Sequence, residues 1–183
     1  MSYSGRSPEF IKRKFIDSFS DPDSIWVETG TYMGDTTIYL AKRASRVYTI
    51  EPSREIASKV SFRFRKLNKI ELSVGSSEEK FESIVSELKG KVCFFLDGHA
   101  SGGNTFYGST KAPIQFELMV VGKFIRNFTH LSVLVDDFRL FGETIKDLQE
   151  YPTKIYLIHW AESYGLEWHV QHDIFIAKSK GLK

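Results

Sequence analysis

Apolar runs of strand length alternate with segments of helical period along most of the chain, and that alternation limits what it can fold into. "SIWVETG" (24–30) reads as a first strand. "TTIYLAKRA" (36–44) reads as a helix with Ile38, Leu40 and Ala41 inward, started by Asp35 or Thr36 as cap. "RVYTIE" (46–51) and "IELSVG" (70–75) are the next strands, each followed by a helical segment, "REIASKVSFRFRKL" (54–67) and "EEKFESIVSELK" (78–89). "KVCFFLDG" (91–98) is the most apolar strand. Beyond a glycine-rich stretch come a helix over 114–128, a fifth strand "LSVLVDDF" (131–138) and a short helix over 142–151. "KIYLIHWAESYGLEWHVQHDIFIAK" is expected as two strands joined around Tyr164 and Gly165, an antiparallel hairpin.

Such alternation implies an α/β fold: a mostly parallel seven-stranded sheet ending in an antiparallel hairpin, with helices on both faces. Strands buried on both sides should be almost continuously apolar, as "VCFFL" and "LSVLV" are. The 183 residues are expected to form a single domain, with 1–23 as an N-terminal cap segment and 99–113 as a long loop over the site. In open sheets of this kind ligands sit beyond the C-terminal strand ends, near the switch in strand order. The polar clusters fall there: 28–34, Glu51, 75–77, 97–99 and the Asp136–Asp137 pair.

A formal net charge of +2 says little about partners. The basic run "RFRKLNK" (63–69) contains Phe64 and Leu67, so it reads as the solvated face of an amphipathic helix, and no nucleic-acid partner is expected. The single cysteine, Cys93, lies in an apolar run and is expected as a small buried hydrophobe in a reducing compartment. No apolar run reaches membrane-spanning length and the N-terminus lacks the apolar core of a secretory signal. The expectation is a cytoplasmic protein with no membrane partner.

Glu28-Thr29-Gly30-Thr31-Tyr32-Met33-Gly34 places two glycines four apart between a strand and a helix. The dinucleotide pattern G-x-G-x-x-G is absent, because Tyr32 stands where its second glycine would be. E-x-G-x-x-x-G resembles the first motif of class I S-adenosylmethionine-dependent methyltransferases. That resemblance implies a Rossmann-like methyltransferase sandwich and S-adenosylmethionine as cofactor, held by Glu28, Thr29, Gly30, Tyr32, Gly34 and Thr36. Glu51, ending the second strand, fits the acid that accepts hydrogen bonds from the ribose hydroxyls. A tight turn and a surface glutamate would explain each part separately, but not their shared edge. After the third strand, Ser76 or Ser77 can face the adenine edge or cap the following helix.

"FFLDGHASGG" and "VLVDDFRLF" bring Asp97, Asp136 and Asp137 to one edge, where three carboxylates would repel unless a cation neutralises them. Asp97-Gly98-His99 with Asp136-Asp137 resembles the metal-dependent O-methyltransferases that act on sugar hydroxyls, and the stretch after it resembles methyltransferases of bacterial surface-polysaccharide settings. The resemblance implies Mg²⁺ or Mn²⁺ on Asp97, Asp136 and Asp137, with His99 where that family has its general base. Asp97 can instead hold the methionine end of the cofactor. His99 can also serve as a loop residue or a metal ligand. Arg139 reads as a counter-ion for the aspartate pair or a substrate anchor. Trp160 and Trp168 are expected on the hairpin's core face, Trp26 in the core, and the remaining histidines as packing residues.

The expected function is methyl transfer to a hydroxyl of a small-molecule or saccharide acceptor, assisted by a divalent ion, with His99 and Asp97 catalytic. A nucleotide- or sugar-nucleotide-dependent enzyme and a non-catalytic cofactor-binding protein are the alternatives. A homodimer contact would be one way to complete the pocket.

Overall fold

A computed structural model of the chain describes residues 8–98, 113–142 and 151–181. Seven strands form one sheet: β1 (Ile25–Thr29), β2 (Arg46–Glu51), β3 (Ile70–Val74), β4 (Gly90–Leu96), β5 (Phe128–Val135), β6 (Glu167–Gln171) and β7 (Ile174–Lys178). Six α-helices are described: α1 (Glu9–Phe19), α2 (Asp35–Ala41), α3 (Arg54–Phe64), α4 (Ser77–Ser86), α5 (Ile114–Phe124) and α6 (Lys154–Ser163). The strand order is β3-β2-β1-β4-β5-β7-β6, with β1 to β5 parallel and β7 antiparallel to both β5 and β6. This is the Rossmann-like methyltransferase architecture, with helices on both faces, that the sequence implied.

Two cores form because each central strand is apolar on both faces. Trp26, Phe95, Leu134 and Ile176 pack against Ile16 of α1 and Leu40 and Ala41 of α2. Their strand neighbours Val27, Phe94, Val133 and Phe175 pack against Phe81 and Val85 of α4, Leu118 and Val121 of α5, and Leu157 of α6. Each fully buried Phe or Leu contributes about 1.5–3 kcal/mol of transfer free energy, so the two layers together hold the sheet. Cys93 is buried, as expected, and burial pushes its thiol up to about 12, which makes it an inert packing group. No described helix is long and apolar enough to cross a membrane.

The C-terminal third departs from the sequence reading. Residues 154–163, expected as a strand, form α6. Thr153 accepts a hydrogen bond from the Tyr156 amide (3.2 Å), and Leu157, Trp160 and Ala161 are buried at helical spacing. Tyr164 and Gly165 therefore end a helix, and the hairpin turns at His172 and Asp173, which have φ of 49° and 64°. Trp160 lies in α6 and donates its indole N–H to the Leu118 carbonyl (2.9 Å), while Trp168 sits 37% exposed on the edge strand, stacked on Phe175. Trp26 is fully buried, as expected.

Smaller corrections concern α2 and β5. Neither Asp35 nor Thr36 caps α2: the cap position is Gly34 at φ 77°, Asp35 opens the helix, and Ile38 is only half-buried. β5 begins at Phe128 and stops at Val135, so Asp136 and Asp137 lie just past its carboxyl end and are not strand residues. The short helix expected over 142–151 falls, apart from its ends, outside the described residues, as do His99 and nearly all of the long loop over 99–113.

Candidate functional site

After β1 the chain winds outward through β2 and β3, then returns to place β4 on the other flank of β1. The loops after β1 and β4 therefore diverge, and the crevice between them lies at the carboxyl ends of the strands. Register aligns Thr29 with both Ile50 and Leu96, and Leu96 with Val135. Gly30, Glu51, Asp97 and Asp136, each next along its strand, consequently form one row across the top of the sheet.

The loop after β1 is shaped by its two glycines for different reasons. Gly30 has φ 85°, and a Cβ there would lie 2.6 Å from the Asp97 carbonyl oxygen, so a side chain would push the loop off β4. At Gly34 the space is taken by the Phe64 ring of α3, 2.6 Å from where a Cβ would stand. Gly34 thus serves helix packing, whereas Gly30 lets the backbone line the crevice. Beside Gly30, the Thr29 hydroxyl is fully buried with no hydrogen-bond partner among the described residues, and a Cβ on Gly98 would approach it to 3.0 Å. An unpaired buried hydroxyl costs about 1–3 kcal/mol, so its persistence at a ligand edge is informative.

Two buried glutamates organise the loop from below. Glu28 accepts hydrogen bonds on one carboxylate oxygen from Thr37 (2.5 Å) and Thr49 (2.6 Å), and Thr31 lies 2.6 Å from the Thr49 hydroxyl. Thr49 spends its proton on Glu28, so Thr31 is the donor to Thr49. Burial pushes the Glu28 carboxyl up to about 8, the two threonines act against that, and Asp97 and Glu51 add to it. Glu51, ending β2, accepts from the Tyr32 amide (2.9 Å) on one oxygen and from the Ser53 amide (2.9 Å) on the other. Burial raises its carboxyl and those two amides oppose the rise. Each oxygen keeps a second lone pair for a ligand hydroxyl. The Tyr32 amide is aimed by its φ of 45°, and its side chain is exposed.

Beyond β3, Ser76 takes the capping position of α4: its amide donates to Glu79 (3.1 Å). Ser77 is turned inward and donates to Glu117 of α5 (2.7 Å). Sequence reasoning passed over Glu117. It is buried against Gly98, and the signal was one acid inside the otherwise apolar run "FELMVV".

The far end of the row carries its own cations. Asp136 is buried, pairs through one carboxylate oxygen with the Lys12 ammonium of α1, and accepts the Asp137 amide (2.8 Å) on the other. Burial pushes the Asp136 carboxyl up and the Lys12 charge works against it. Asp137 accepts from the Arg139 guanidinium (2.6 Å), which also pairs with Asp173. Asp173 in turn accepts the Arg139 amide (2.7 Å). The counter-ion role read for Arg139 is therefore observed, extended to the hairpin turn. Between the ends of β4 and β5 a cavity of about 10 Å³, bordered by Gly98, Glu117 and Asp136, has room for about one water. Among the described residues no group of three His, Cys, Asp or Glu is placed to hold a metal ion.

The crevice residues fit an adenosyl cofactor: a backbone cradle at Gly30, an unpaired Thr29 hydroxyl and a carboxylate at Glu51. The described aspartates do not fit a divalent ion, because Asp136 and Asp137 are already engaged by Lys12 and Arg139.

No protein-family model matches the chain, and no curated protein matches it. Solved structures do. An O-methyltransferase from Bacillus cereus in complex with S-adenosylhomocysteine superposes with a TM-score of 0.61 at 17% identity, covering 97% of this chain and 83% of that one. An O-methyltransferase of tomaymycin synthesis from Streptomyces achromogenes, in complex with S-adenosylmethionine, gives 0.60 at 15% identity over 91% and 78%. An rRNA methylase from Streptococcus thermophilus gives 0.52 at 16% identity over 97% of each chain. At these identities the likeness establishes the class I methyltransferase fold. It also overturns the expectation of no nucleic-acid partner: the fold is shared with enzymes that act on RNA, and charge patterning on one helix cannot exclude that class of acceptor.

Proposed function

We propose that the protein is an S-adenosylmethionine-dependent methyltransferase whose acceptor is a hydroxyl of a small molecule or a saccharide. The observation that carries this reading is the meeting of Gly30, the unpaired Thr29 hydroxyl and the Glu51 carboxylate at one crevice of a methyltransferase fold. Glu51 would accept the ribose hydroxyls, Gly30 and Thr29 would line the methionine side, and Asp97 would face it from the end of β4. Glu28 and Thr49 would hold the loop in place without touching the ligand. Bound there, S-adenosylmethionine supplies an electrophilic methyl group whose bond to sulfur breaks with its electrons going to sulfur.

The chain's task at the acceptor is to orient the hydroxyl and take its proton. His99, two residues beyond Asp97 and outside the described residues, is the proposed base, since an imidazole with an ordinary pKa near ~6.5 is neutral enough to accept a proton at physiological pH. Positioning and deprotonation carry the rate, because the cationic methyl donor loses charge during transfer. No step is assigned to a metal ion.

The test is release of S-adenosylhomocysteine in the presence of saccharide and small hydroxylated acceptors, for the wild type and His99→Ala. The variant should keep cofactor affinity and lose about 10²–10⁴-fold in kcat at neutral pH. Full activity of His99→Ala would remove the base assignment. No turnover with any hydroxyl acceptor alongside turnover on an amine or RNA would move the acceptor class.

A further inference from the structure

Resting on the methyltransferase reading, we propose that Lys12 and Arg139 are the built-in cations of the acidic edge, holding the place of a divalent ion, and that the transfer runs without one. Lys12 is a positioning residue in this scheme: it fixes Asp136 and shields it from an incoming ion.

Lys12 and Arg139 place two positive charges among three carboxylates, Asp136, Asp137 and Asp173, so each of Asp136 and Asp137 already has a cationic partner. Each oxygen of Asp136 already accepts one partner, the Lys12 ammonium on one and the Asp137 amide on the other. The Asp136 side chain has no solvent exposure and that of Lys12 only 14%, so an ion would have to displace a sequestered partner. Asp137 is held by Arg139, itself clamped by Asp173 through both its guanidinium and its amide.

Lys12 is not a surface lysine that happens to reach inward. One turn further along α1, Ile16 is buried in the sheet core, and Asp17 is held by the Tyr39 hydroxyl (2.9 Å) and by Arg43, so α2 sets where α1 lies. The helix delivers the ammonium across 124 residues of sequence to Asp136.

The experiment is titration of the full chain with Mn²⁺ alone, followed by the loss of the free-ion paramagnetic signal, with S-adenosylhomocysteine affinity measured in parallel with and without a chelator. The wild type and Lys12→Arg should take up no stoichiometric Mn²⁺ at millimolar concentration, and chelator should change cofactor affinity by less than about twofold. Lys12→Ala should gain stoichiometric Mn²⁺ uptake that a second change, Asp136→Asn, abolishes. Stoichiometric uptake by the wild type, lost in Asp136→Asn, would overturn the proposal, as would a folded Lys12→Ala as silent as the wild type. Should Lys12→Ala fail to fold by circular dichroism, the wild-type titration decides alone: silence supports, uptake overturns. Absence of S-adenosylhomocysteine binding in every protein would count against the cofactor crevice and not against the charge assignment.

Discussion

Glu28 shows how a single side chain can stabilise a loop and burden the fold at once. It is buried, it ties β1 to β2 and α2 through Thr49 and Thr37, and its carboxyl is pushed up to about 8. An acid with a raised folded pKa binds its proton more tightly in the folded state. Stability therefore falls as pH rises from its ordinary value near ~4.5 towards ~8. Glu28→Gln keeps an oxygen to accept both threonines and removes that titration. Chemical unfolding at pH ~5 and pH ~8.5 should show the variant gaining on the wild type at the higher pH, by roughly 1–4 kcal/mol. A constant difference at both values would refute the account. The places of Gly30 and Glu51 at strand ends were legible because strand ends and turn glycines mark them locally, whereas Glu28, read as a cofactor contact, is buried beneath the loop on Thr37 and Thr49. Lys12 and Glu117 were not: their partners, Asp136 and Ser77, stand 124 and 40 residues away, and no short window reveals such pairs.

Among the elements, α2 and α3 meet through the Arg63–Asp35 ion pair and through a tight contact at Gly34. Gly34 starts α2 in the left-handed region, and the Phe64 ring fills the space above it. Gly34→Ala adds both backbone strain and overlap, and should lower stability by about 1–3 kcal/mol. Adding Phe64→Leu should recover part of that loss. Strict additivity in a double-mutant cycle would show the contact to be unimportant. The helices and parallel strands up to β5 followed from period and composition. α6 did not, because "KIYLIHWAES" is rich in residues that also favour strands, and the deciding features were the Thr153 cap and the spacing of Leu157, Trp160 and Ala161. With α6 misread as a strand, the hairpin turn was displaced from His172–Asp173 to Tyr164–Gly165. The seven-strand count survived because the segment after Gly165, read as one strand, is two, β6 and β7, which replaces the strand lost to α6.

At the scale of the whole molecule, the strand order puts the reversal between β1 and β4 and gathers Gly30, Glu51, Asp97 and Asp136 at one sheet edge. Acids predominate there, which suits a cationic sulfonium ligand, and the edge is offset at one end by Lys12 and Arg139. That edge was readable from the sequence because the parallel alternation dictates it. The charge balance was not, because α1 supplies one of its two cations from the opposite end of the chain. The most direct measurement is calorimetric titration of the purified chain with S-adenosylhomocysteine, beside Glu51→Ala. Removing a charged acceptor of the ribose hydroxyls should weaken binding by about 10- to 100-fold with the fold intact. Saturable binding by the wild type with that loss in the variant is the expected result. No binding by the wild type, or equal affinity in the two, would contradict the cofactor crevice.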